Sequence, residues 1–163
     1  EDFAEKNNVN VNASKIRNRK TEIFSSFIMK NKQKLRKSVN EIINFTKINN
    51  IKLALATSTT INNVEAVFKS LSDQISNEDF HFIGNRSLVK NEKPNPEIYK
   101  LTLEKLNLEP DNCLAIEDTE ESSKSAVSAG IKCIGFPGDY HSDDSFEMCI
   151  KKVKILDQSL FSL

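Results

Sequence analysis

The chain has 163 residues, enough for one domain with a core of its own or for one domain plus a small appendage. Its 23 basic and 23 acidic residues cancel, so net charge gives no reason to expect a nucleic acid or an anionic membrane as partner. No apolar run approaches membrane-spanning length, and three cysteines without a C-x-x-C pair argue against a disulfide framework and for a reducing cytoplasm. The opening EDFAEKNNVN has no apolar signal core and no initiating methionine, as expected of an interior point of a longer protein.

Residues 13–30 place Ile16, Ile23, Phe24, Phe27 and Ile28 at helical spacing, which predicts an amphipathic helix. A second helix is expected from about residue 36 to 49, with Val39, Ile42, Ile43 and Phe45 inward and Asn49-Asn50 ending it. The period then changes. Residues 51–56, IKLALA, read as a buried strand, followed by the hydroxyl cluster at residues 57–60 and a helix over about 62–71. A strand at 80–84, a polar loop, a helix at 96–106, a strand at 112–117 and a helix at 120–129 stopped by Gly130 come next. A strand at 131–135 follows, and the tail reads as a loop, a short helix, a strand near 153–156 and a final turn. Short buried strands alternating with helices mean βαβ units and a parallel sheet, whose chemistry sits at the carboxyl ends of its strands.

Three polar groups fall at such ends. Glu117 and Asp118 close an apolar strand and could bind a hard cation through oxygen, or Asp118 could simply cap the next helix. Lys93 lies just before a helix, where an ammonium suits an anion, although a lone lysine is more often solvated. Thr57 and Ser58 could donate to a phosphate oxygen or serve as a helix cap.

Taken in order, KLALATSTT, EKPNPEIYKLTLEKLNLEPDNC and LAIEDTEESSKSAVSAGIKCIGF resemble the second, third and fourth motifs of the haloacid dehalogenase superfamily. The resemblance runs from about residue 13 to residue 146. RKTEIF, LRKSV, LATSTTINNVEAVF and GDYHSDDSF are similar, more narrowly, to CbbY-like sugar-bisphosphate phosphatases of subfamily IA. That resemblance implies an α/β fold, a three-layer Rossmann-like parallel sheet with the remnant of a helical cap. Residues 1–34 would be the C-terminal part of the cap and residues 35–163 the core.

It also implies a Mg2+-dependent phosphohydrolase that forms an aspartyl phosphate on a small phosphorylated sugar such as xylulose 1,5-bisphosphate, acting as a cytoplasmic monomer. Thr57, with Ser58 beside it, would donate to the transferring phosphoryl group. Lys93 would contact the nucleophile and the phosphoryl oxygens. Asp118 would ligate the metal, and Glu117 would ligate it or hold one of its waters. Lys20, on the cap helix, would reach the distal part of the substrate. The family's opening Asp-x-Asp, which carries the nucleophile on the central strand, occurs nowhere in this sequence. The sheet is therefore expected to lack that strand and to show a gap or a closure there. Lys37-Ser38 stands for the family's usual Pro-Gly, and Ser122 for a common glycine. A phosphosugar mutase like β-phosphoglucomutase is the alternative on the same scaffold, disfavoured by Thr60-Ile61 where mutases carry Lys-Asn; a non-catalytic truncated protein is the other.

Overall fold

The structure is a computed structural model that describes residue 6 and residues 12–162. In chain order it contains α1 (Ala13–Lys30), α2 (Val39–Ile48), β1 (Ala54–Ala56), α3 (Ile61–Ser70) and β2 (Phe82–Gly84). There follow α4 (Glu97–Leu106), β3 (Leu114–Glu117), α5 (Glu120–Ser128), β4 (Lys132–Gly135) and β5 (Lys151–Lys152).

Every strand pairing is parallel. Leu55 lies opposite Ile83, Ala115 opposite Cys133, Ile116 opposite Ile134, and Ile134 opposite Lys151. Because side chains alternate across a strand, each of these pairs faces one layer. Ala115 and Cys133 pack with Ile98, Tyr99 and Ala126 of α4 and α5. Ile116 and Ile134 face the other way, onto Ile42 of α2 and the C-terminal Leu156 and Leu160. Leu55 and Ile83 pack with Ile43, Val64 and Phe68 between β1–β2, α2 and α3. Helices thus cover both faces of parallel strands, the expected three-layer α/β arrangement.

The described strands form two sheets, β1–β2 and β3–β4–β5. One edge of β1 and one edge of β3 are left unpaired. Between them runs a cavity of about 1240 Å³, lined by residues 53–56 on one side and 114–117 on the other. Tyr99, Thr102, Leu103 and Leu106 of α4 wall it on one face. The gap expected at the central position is present, and the flanking strands have not closed over it.

The first four strands start one to three residues inside the expected apolar runs, and two further boundaries differ for a long-range reason. The second helix begins at Val39, because Ser38 takes a left-handed backbone with φ 72° and breaks the helical path before it. The family's glycine at this point has the natural conformation for such a turn; here the serine hydroxyl accepts the Leu156 amide at 2.8 Å. Arg36, read as part of the helix, instead donates to the carbonyls of Phe136 and Pro137 at 2.7 and 2.6 Å and stacks over the Phe136 ring. The last strand pairs at Lys151–Lys152, not 153–156: the Val153 amide makes the last bond, to the Gly135 carbonyl, before the chain turns Leu156 into the core.

Candidate active site

Three crossings deliver polar groups to the carboxyl ends of β1 and β3. After β1, the Thr57 amide still bonds the Gly84 carbonyl at 3.1 Å. Thr57 Oγ1 accepts the Thr59 amide at 3.2 Å, and no acceptor takes its proton among the described residues. The cap of α3 is Thr60, whose side chain accepts from the Asn63 amide. Thr57 and Ser58 therefore have no capping role, and their hydroxyls line the cavity.

The same holds after β3. The cap of α5 is Thr119, which accepts from the Ser122 amide at 3.2 Å. Asp118 is released from that role; it is exposed and borders the cavity. Glu117 turns the other way and is buried.

Lys93 joins the two half-sheets. Its side chain is only 7% exposed, and Nζ donates to Glu117 Oε1 at 2.5 Å and to the Ala56 carbonyl at 3.0 Å. A buried ammonium survives only when its charge is matched and hydrogen-bonded, and here β3 supplies the charge while β1 supplies a dipole. The loop beneath it is held from two sides. Ser125 Oγ of α5 donates to the Asn95 carbonyl at 2.7 Å. Glu97 accepts the amides of Lys90 and Asn91, bonds that hold its carboxyl below the usual range.

A residue that pattern reading passed over completes the group. The Tyr99 hydroxyl donates to the same Glu117 oxygen that Lys93 contacts. Burial, then the Glu117 charge, pushes the Tyr99 phenol well above its ordinary value, so it remains a donor at neutral pH. The only sequence signal for it was its position in the first turn of the helix after Lys93-Pro94-x-Pro96.

Lys20 projects from α1 into the same cavity and is exposed. Lys20, Thr57, Ser58, Lys93, Glu117 and Asp118, distant in the chain, thus line one space, joined by Glu121 and Ser122. That space exceeds the ~300–1,000 Å³ common for small-molecule sites, so it has room for a chain segment as well as a ligand.

The donor set suits part of a magnesium site. Magnesium takes one or two carboxylates and completes its shell with water and phosphate oxygens. Asp118 offers a carboxylate without a partner among the described residues. Glu117 has Oε1 committed to Lys93 and Tyr99, leaving Oε2. Among the described residues no cluster of three or more His, Cys, Asp or Glu could hold a metal alone.

Residues 1–136 match the family of haloacid dehalogenase-like hydrolases. Protein CbbY of Cereibacter sphaeroides is 34% identical over 127 residues, covering 78% of this chain and 55% of the relative. A phosphorylated carbohydrates phosphatase of Thermotoga maritima is 37% identical over 120 residues, 74% of this chain and 52% of that protein. Among solved structures, a mutant CbbY from Rhodobacter sphaeroides in complex with xylulose 1,5-bisphosphate superposes with a TM-score of 0.80 at 31% identity. That superposition covers 86% of this chain and 62% of the other. The chain spans about half the length of the curated relatives it matches.

Proposed function

This chain belongs to the haloacid dehalogenase-like hydrolases, and from that premise we propose that it forms most of the catalytic core of a phosphohydrolase acting on small phosphorylated sugars. The observation that carries the reading is the meeting of Thr57, Ser58, Lys93 and Asp118 at the carboxyl end of the cavity between β1 and β3.

In this reading Thr57 and Ser58 donate to the phosphoryl oxygens, and Lys93 swings its ammonium toward them. Two of the three ammonium donors are held by Glu117 and the Ala56 carbonyl, so full engagement of the phosphoryl group draws the ammonium off Glu117. Asp118, with Glu117 behind it, would hold Mg2+, which supplies charge neutralisation at the phosphoryl group. Such donors, fixed in advance, stabilise the charge that develops during transfer. The nucleophilic aspartate would arrive on a further parallel strand seated between β1 and β3. The unpaired edges of β1 and β3, each in a parallel sheet, and an apolar lining that includes Leu55 and Ile116 support this placement. Attack by that carboxylate on phosphorus would break the bond to the sugar oxygen, which leaves as a hydroxyl with a proton from the second aspartate of the family's Asp-x-Asp. Water would then cleave the aspartyl phosphate to inorganic phosphate and the free carboxylate.

Residues 1–34 would belong to a cap over the site, with Lys20 of α1 reaching the distal part of the substrate. Xylulose 1,5-bisphosphate is the substrate we propose, on the strength of the CbbY relatives. Among the described residues no helix is long and apolar enough to cross a membrane.

Phosphate release with Mg2+ tests the proposal, using xylulose 1,5-bisphosphate and β-glucose 1-phosphate. Residues 1–163 and the longest reading frame containing them are compared. Residues 1–163 alone are expected to release none, and the longer protein to release phosphate from the bisphosphate. Lys93→Ala in the longer protein should lower turnover by about 10²–10³-fold, the loss typical of one preorganised donor. Turnover by residues 1–163 that vanishes in Asp118→Ala would overturn the need for a supplied nucleophile. Rates near the parent's in Lys93→Ala would remove Lys93 from the site.

A further inference from the structure

The mechanism leaves one buried polar group of the site without a task, the Tyr99 hydroxyl. Packing alone does not ask for it. The Tyr99 ring sits in the cluster of Ile98, Ala115, Ala126 and Cys133, where a phenylalanine would fill the same space. The hydroxyl is instead aimed at Glu117 Oε1, the atom that also receives Lys93.

The consequence appears when Lys93 has work to do. Its backbone is held in place, since Ser125 pins the loop at Asn95 and the Tyr99 amide bonds the Pro96 carbonyl at 3.1 Å. Any adjustment toward a phosphoryl oxygen is made by the end of the side chain, away from Glu117. If Lys93 were the sole partner of Oε1, that shift would leave a buried carboxylate oxygen unmatched, and the cost would hold the lysine back. A second donor on the same oxygen removes that penalty.

We infer that Tyr99 is a positioning residue, its hydroxyl keeping Glu117 partnered so that Lys93 can shift from that carboxylate to an incoming phosphoryl group. This rests on the role proposed for Lys93. In this role the Tyr99 hydroxyl, bonded to Glu117 Oε1, acts on the reaction through Glu117.

The test is Tyr99→Phe, which keeps the ring. In the longer protein kcat should fall about tenfold, the scale of one hydrogen bond to a charged group, with KM for the bisphosphate unchanged. Thermal stability should stay near that of the parent. In a Glu117→Gln background the same change should have no further effect on kcat, because a neutral amide needs no second donor. A readout independent of turnover is the 15N-labelled Lys93 ammonium signal of residues 1–163, titrated with inorganic phosphate and Mg2+. The parent signal should shift at saturating phosphate, and in Tyr99→Phe the shift should be smaller, because the lysine stays with Glu117. An unchanged kcat together with an unchanged titration would overturn the inference. So would a kcat loss that persists in the Glu117→Gln background and follows a loss of thermal stability, which would make Tyr99 a packing residue only. Absence of phosphate release from the longer protein would sink the phosphohydrolase reading, while the Lys93 titration would still decide for or against Tyr99.

Discussion

Strand β4 and helix α1 are both rich in apolar residues, and the fold treats them oppositely. Cys133 and Ile134 of β4 are wholly buried, one in each face of the sheet. In α1 no residue is buried; Ile16, Ile23, Phe27 and Met29 are exposed, Phe27 by 61%. Helix α1 packs on α3, with Ser25 bonding Asn63, and meets the cavity through Lys20. An apolar pattern therefore specifies which element forms. Whether that element holds the protein together depends on what lies against it, since apolar surface stabilises only in proportion to the area withdrawn from water.

The contrast can be broken by mutation. The largest effect on stability is expected at Ile134→Ala, about 2–5 kcal/mol by urea unfolding, because a fully enclosed side chain leaves a cavity that its neighbours cannot refill. A loss below about 1 kcal/mol would mean that β4 is not the centre of the core. Arg36→Ala comes next, at about 0.5–1.5 kcal/mol, since it removes two bonds that tie the approach to α2 to the end of β4 but leaves an exposed site that water can fill. Lys20→Ala should leave unfolding unchanged and raise KM in the longer protein by up to about fivefold, the scale of an exposed charge contact. A change in kcat instead would move Lys20 from the rim of the site into its chemistry. Phe27→Ala should be the smallest, within about 0.5 kcal/mol in residues 1–163. A destabilisation of core size there would show that α1 is buried in solution.

Much of the architecture was legible in the sequence because its signals are local. The spacing of Ile16, Ile23 and Phe27 predicts α1 over its observed bounds, and Gly130, at φ +85°, ends α5 as a glycine stop should. The strands appear as short apolar runs, trimmed by one to three residues in the structure. Other features had no local signal. Thr46 is buried on the inner face of α2 although polar, because its hydroxyl is satisfied by the Ile43 carbonyl. Arg36 lies beside a helical pattern and spends its guanidinium a hundred residues away.

The sequence alone determined the order of strands and helices and the residue types at each strand end. It also showed that no Asp-x-Asp is present. Spacing and side-chain chemistry are properties of neighbouring residues, so they survive without a fold. Only the tertiary structure decided that Thr60 and Thr119 cap the helices and leave Thr57 and Asp118 to the cavity. It alone showed that β1 and β3 stand apart with Lys93 bridging their ends, and that Tyr99 shares Glu117 with that lysine. These are decisions about which partner a buried charge finds. Parallel strands bring together groups dozens of residues apart, and no local pattern records that choice.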